Sequence, residues 1–162
     1  MLGPFFDRSD LEMIKKVNVV VGSFLTQLII VGMLFTYGVL MTELEKEFGW
    51  SRTVLSSIGA AGWLAWGIFA IPGGYLNDRL GPKIVLGVNG FIFGIGFILF
   101  SKSSEVWHLF LIFIFFIGIG LSTHDISTLS TIAKWFESKR GLMTSIAKIG
   151  TAMGQMVMPP LI

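Results

Sequence analysis

The run from Val17 to Met41 reads VNVVVGSFLTQLIIVGMLFTYGVLM. It contains no Asp, Glu, Lys or Arg, and lies between Lys15–Lys16 and the cluster Glu43, Glu45, Lys46, Glu47. At about 1.5 Å per residue, a helix of this length exceeds a bilayer core of about 30 Å. The apolar core of a secretory signal is shorter, roughly 7–15 residues, and no small-residue cleavage site follows here. The run predicts a first transmembrane helix over 17–41, with 1–16 as a segment outside the membrane.

Four more apolar runs follow, over about 54–76, 84–100, 107–133 and 142–162. Each is continuous and about twice the length of a membrane β-strand, which would alternate apolar and polar residues over about 10 positions. Helices satisfy their own backbone hydrogen bonds in lipid, so the fold class is an all-α membrane protein. Composition agrees: 53% of the 162 residues are hydrophobic and 14% charged, against roughly 25% charged in a soluble chain. A formal net charge of +2 argues against a nucleic-acid partner, and the absence of cysteine excludes disulfide and metal–thiolate sites. The lipid bilayer is the expected surrounding.

Lys and Arg mark the cytoplasmic side. Arg8, Lys15, Lys16, Arg79, Lys83, Lys134, Lys139 and Arg140 fall on one side of the predicted topology, and Lys46, Arg52 and Lys102 on the other. The bias predicts a cytoplasmic N-terminus in an inner or plasma membrane. The fifth run is still apolar where the sequence stops at Ile162. The expectation is a longer protein truncated before a sixth helix; a complete five-helix protein is the alternative.

Ionisable groups are costly in lipid, so each one inside a span is a candidate functional site. Lys148 lies roughly 12 Å along its helix from Arg140, and Asp125 roughly 15 Å from Trp135 at the same membrane face. On consecutive antiparallel helices the two could meet and neutralise each other. A structural ion pair and a transport role are both open. His124 is expected to face away from Asp125, because adjacent helical residues point about 100° apart. Gln27 sits near mid-membrane in the first helix with Ser23 one turn before it, and Tyr37 lies toward the far end. Gln27 could bind a solute or hold helices together. Trp63 and Trp66 are deep for interfacial tryptophans. Gly90 and Gly94 in the third helix, and Gly150 and Gly154 in the fifth, have the spacing of close helix contacts. No nucleophile–base set or metal-ligand spacing is present, so neither an enzyme nor a cofactor is expected.

The turn after the second helix reads Gly74-Tyr75-Leu76-Asn77-Asp78-Arg79-Leu80-Gly81-Pro82-Lys83. It resembles the signature of the major facilitator superfamily between helices 2 and 3, matching at Gly74, Asp78, Arg79, Gly81 and Lys83 and departing at Pro82. Glu47-Phe48-Gly49-Trp50-Ser51-Arg52 resembles the entry to helix 2 in monocarboxylate-transporter-like and oxalate/formate-antiporter-like members. The stretch Lys134-Trp135-Phe136-Glu137-Ser138-Lys139-Arg140-Gly141-Leu142, with Gly150 following, is similar to their helix 4–5 junction. The resemblance implies five helices of a six-helix N-terminal half, with a C-terminal half expected and absent. It also implies secondary transport of a small solute by alternating access, with the 74–83 loop helping to lock the two halves. Animal monocarboxylate carriers carry a lysine in the first helix, and this first helix has none. The expected substrate is a small organic anion, with a coupled proton left open, and Gln27, Tyr37, His124, Asp125 and Lys148 lining its path. A non-transporting scaffold, a regulatory subunit or an inert relic is the other reading.

Overall fold

The computed structural model describes residues 8–161; positions 1–7 of the expected cytoplasmic segment, and Ile162, lie outside them. The described chain is helical almost throughout. Helix α1 runs Arg8–Phe48, α2 Arg52–Leu80 and α3 Pro82–Phe100. Helix α4 covers Val106–Trp135 with an internal break, and α5 covers Arg140–Val157, followed by a single 3-10 turn at Pro159–Leu161.

Helices α1 to α4 are long and apolar enough to cross a bilayer. Helix α5 is less apolar, since it carries Arg140, Lys148 and Gln155 within 18 residues. It packs along α1 for most of its length. The surface that remains is apolar: Leu64, Ile68, Ile71 and Phe91 are all at least 66% exposed within the chain. In lipid such residues need no protein partner, because the solvent is itself hydrocarbon.

The helices outrun the apolar stretches that mark them. A helical backbone needs apolar side chains only where it meets lipid, so α1 continues at both ends into water-facing charge. Gly49 ends α1 at φ 69, the left-handed conformation that stops a helix without a Cβ penalty. Ser51 then caps α2 by accepting from the Val54 N–H. Helix α2 passes through Pro72 and continues over Asn77-Asp78-Arg79, so the turn between α2 and α3 narrows to Gly81 at φ 83, ψ 155. Pro82 opens α3 at a position where its missing N–H has no helical partner to lose.

Helix α4 is the core. Half of its most apolar stretch is buried inside the chain, a larger share than in α1, α2 or α3. Its middle, Ile112–Gly118, winds as a π-helix, and the helix breaks at Ser122–Thr123 before resuming at His124. Small residues let α2 and α3 approach it. A Cβ on Gly118 would meet Ala65 at 2.6 Å, one on Gly96 would meet Phe116 at 2.8 Å, and one on Gly73 would meet Thr123 at 2.5 Å. Gly90 and Gly94, expected to be a contact pair, face open space within this chain. In α5 the expected closeness is present: Gly150 abuts the Phe24 carbonyl of α1, and Gly154 the Leu28 carbonyl.

The break in α4 is held by polar side chains. Asn89 of α3 donates to Thr123 Oγ1 at 2.5 Å and to Ser122 Oγ at 3.3 Å. On the α2 side, Ser127 donates to Asn77 Oδ1 at 2.6 Å. Both asparagines satisfy hydroxyl groups that lipid could not, so they fasten α4 to its neighbours.

Candidate functional site

Three helices bring polar groups to one place inside the bundle. Gln27 of α1 is fully buried, and each end of its amide is engaged. Its Nε2 donates to Asp125 Oδ1 at 2.6 Å and to Thr128 Oγ1 at 3.2 Å, and its Oε1 accepts from Thr151 Oγ1 at 2.9 Å. Lys148 of α5 donates to the same Asp125 oxygen at 2.5 Å. One carboxylate oxygen of α4 thus ties α1 and α5 together. Asp125 and Lys148 keep about a third of their side-chain surface exposed, at 32% and 38%.

That exposed surface faces a cavity of about 160 Å³. Its lining mixes polar residues, Gln27, His124, Asp125, Lys148, Thr151 and Gln155, with the apolar or aromatic Val31, Leu34, Phe35, Trp63, Trp66 and Leu121. Leu34, Phe35, Trp63 and Leu121 also line a second, apolar cavity of about 170 Å³ that reaches Tyr37. An amphipathic space with one ammonium in its lining can hold a small anion by charge and its carbon body by contact.

His124 does not turn away from this space. It is 4% exposed, its Nδ1–H donates to the Leu121 carbonyl at 2.7 Å, and its Nε2 lies 3.7 Å from Asp125 Oδ1. His124 and Asp125 are adjacent in the first turn of the segment His124–Trp135, so their backbone directions still differ by about 100°, but the imidazole is long enough to reach the same cavity wall. Its ring lies 6.0 Å from that of Trp66, which meets Trp63 edge-on at 5.0 Å. Tyr37 is differently placed. Its hydroxyl donates to the Leu55 carbonyl at 2.8 Å and its ring packs on Phe113 at 4.5 Å, joining α1 to α2 and α4. No group of three His, Cys, Asp or Glu residues able to hold a metal occurs among the described residues.

The two outlying motifs lie at one end of the bundle. Asp78 and Arg79 are exposed in the last turn of α2, and Arg79 sits 4.4 Å over the Tyr75 ring. Gly74 and Lys83 flank the Gly81 turn. Trp135 closes α4, Phe136 and Lys139 bridge to α5, and Arg140 and Gly141 begin it.

Thr128, Thr151 and Gln155 are site residues that the sequence reading passed over. Thr151 lies three residues after Lys148 and Thr128 three after Asp125, so each shares a helix face with the charge it follows. That spacing is the signal that could have found them.

Residues 23–162 match the family model of the Major Facilitator Superfamily. The chain is 28% identical over 152 residues to the agnestins efflux protein of Paecilomyces divaricatus, spanning 90% of this chain and 34% of that protein. It is 27% identical over 144 residues to monocarboxylate transporter 13 of Rattus norvegicus, spanning 88% of this chain and 33% of the relative. It is also 30% identical over 123 residues to the probable L-galactonate transporter of Escherichia coli, spanning 74% and 26%. The chain covers about a third of the length of these relatives or less. With the family model matched from the first helix to the last residue, the chain belongs to the Major Facilitator Superfamily, a family of membrane transporters and not of enzymes.

Proposed function

We propose that the chain forms helices 1 to 5 of the first bundle of a two-half secondary transporter, whose complete form moves a small organic anion by alternating access. The observation that carries this reading is the Lys148 ammonium, held inside the bundle by Asp125 yet open to a cavity. A substrate carboxylate arriving there competes with Asp125 for the same cation. A proton taken up by Asp125 at that moment keeps the charge of the site unchanged, which is the physical case for proton coupling. The substrate class is a mono- or dicarboxylate. In support, two relatives are named for carboxylate solutes, a monocarboxylate and L-galactonate.

On this reading Asp78, Arg79 and Lys83, exposed and without an ion pair among the described residues, reach the second half of the transporter. The excess of Lys and Arg at the Lys16 and Lys139 end supports a cytoplasmic placement of that end, in an inner or plasma membrane.

The test is flux. Proteoliposomes holding the complete protein are given radiolabelled mono- and dicarboxylates with and without an inward proton gradient. Saturable uptake of one of them supports the reading. Absence of both flux and substrate-dependent thermal stabilisation across the panel overturns it, and leaves a non-transporting scaffold.

A further inference from the structure

At the end of the bundle where α1 begins and α4 gives way to α5, three lysines converge on one concavity of about 580 Å³. Lys16 comes from α1, Lys134 from the last turn of α4, and Lys139 from the turn before α5. Trp135, Phe136, Glu137 and Ser138 complete the lining. Lys16 sits one turn before buried Val20, so it lies on the inward-turned side of α1 and not among its lipid-facing residues.

None of the three lysines forms an ion pair among the described residues, although Glu137 shares the same wall. Three like charges gathered from separate segments repel one another, and one acid leaves the lining with an excess positive charge of two. Trp135 is 39% exposed beside them, at the point where α4 leaves its apolar stretch. An amphipathic ring at that level sits among lipid headgroups.

We propose that this concavity is a binding site for the phosphate headgroup of an anionic phospholipid. The lysines meet the phosphodiester, Ser138 offers a hydroxyl donor, and Trp135 marks the depth at which the glycerol backbone meets the acyl chains. Basic pockets between transmembrane helices at a membrane face take headgroups of this kind. The inference rests on the membrane-embedded fold and not on the transport reading.

The experiment measures thermal stability of the complete protein in nanodiscs of phosphatidylcholine as phosphatidylglycerol replaces part of the lipid, alongside lipid retention by native mass spectrometry. Phosphatidylglycerol is expected to raise the melting temperature and to stay bound. Replacing Lys16, Lys134 and Lys139 together with Gln should remove both effects, with each lysine contributing about fivefold in lipid affinity. Glu137→Gln should tighten retention, which a variant that merely misfolds cannot do. Lys102→Gln, at the opposite end, should change nothing. Equal responses in the wild type and the triple variant, or no preference for phosphatidylglycerol, overturn the site. Glycerol phosphate that protects as well as the lipid overturns the lipid assignment in favour of a soluble phosphate.

Discussion

Lys148 Nζ of α5 lies 2.5 Å from Asp125 Oδ1 of α4, at the level where Gln27 of α1 reaches the same oxygen. The groups around the pair are hydrogen-bonding but carry no formal counter-charge for either partner, so either charge alone would lack compensation. Asp125→Ala and Lys148→Ala should each lower stability by about 1–3 kcal/mol, below the range for fully buried pairs because both groups are partly exposed. The double variant should be no worse than the poorer single one. Thermal unfolding of the four proteins gives the coupling, and simple additivity would show that the contact contributes nothing.

Gln27→Leu keeps the side chain's bulk and removes its amide. Three hydrogen bonds disappear with it, and the Thr151 hydroxyl loses its acceptor. A loss of about 1–3 kcal/mol is expected. Gln27→Glu is a sharper case, since a second carboxylate would face Asp125 at hydrogen-bond distance, and it should be worse than Leu at neutral pH. Denaturation in detergent ranks the two; the reverse order would contradict the geometry.

Two pairs of glycines differ sharply in what a side chain would meet. Gly150→Val and Gly154→Val push side chains into backbone carbonyls of α1, which no rotamer change can relieve. They should separate α1 from α5 and sharply reduce the yield of folded protein. Gly90→Ala and Gly94→Ala meet nothing in this chain and should be neutral or slightly stabilising, since Ala favours a helix by about 1 kcal/mol over Gly. Detergent size-exclusion profiles separate the two groups. Monodisperse Gly154→Val protein would contradict the α1–α5 packing.

Gly81 holds φ 83 and ψ 155, a backbone region almost restricted to glycine. Gly81→Ala should cost about 1–3 kcal/mol although open space surrounds the position. Gly22→Ala, also in open space but inside α1, should not. Matching melting temperatures for the two variants would show that the turn tolerates a side chain.

Depth was legible in the sequence and rotation was not. Arg140 and Trp135 mark one membrane face, and the fixed rise of a helix then sets Lys148 and Asp125 at similar distances from it. Which way a residue faces is harder, because lipid and a protein core are equally apolar and hydrophobic periodicity carries little information. That is why Gly96, and not the Gly90–Gly94 pair, packs against α4. The break at Ser122–Thr123 was hidden for a related reason. Its stabilising partners, Asn89 and Gly73, lie on two other helices, and no local pattern connects them. The expectation that His124 faces away fails for a different reason: the 100° step separates backbone directions, whereas both side chains reach one cavity.

The proposed transport role rests on Lys148 as the group that receives the anion. Uptake of the transported carboxylate should be compared in proteoliposomes holding equal amounts of wild type, Lys148→Ala and Lys148→Arg, with insertion checked by protease protection. Ala is expected to lower uptake by about 10-fold or more, the scale of losing a charged hydrogen bond, while Arg retains a measurable part of it. Wild-type uptake by correctly inserted Lys148→Ala protein would contradict that role.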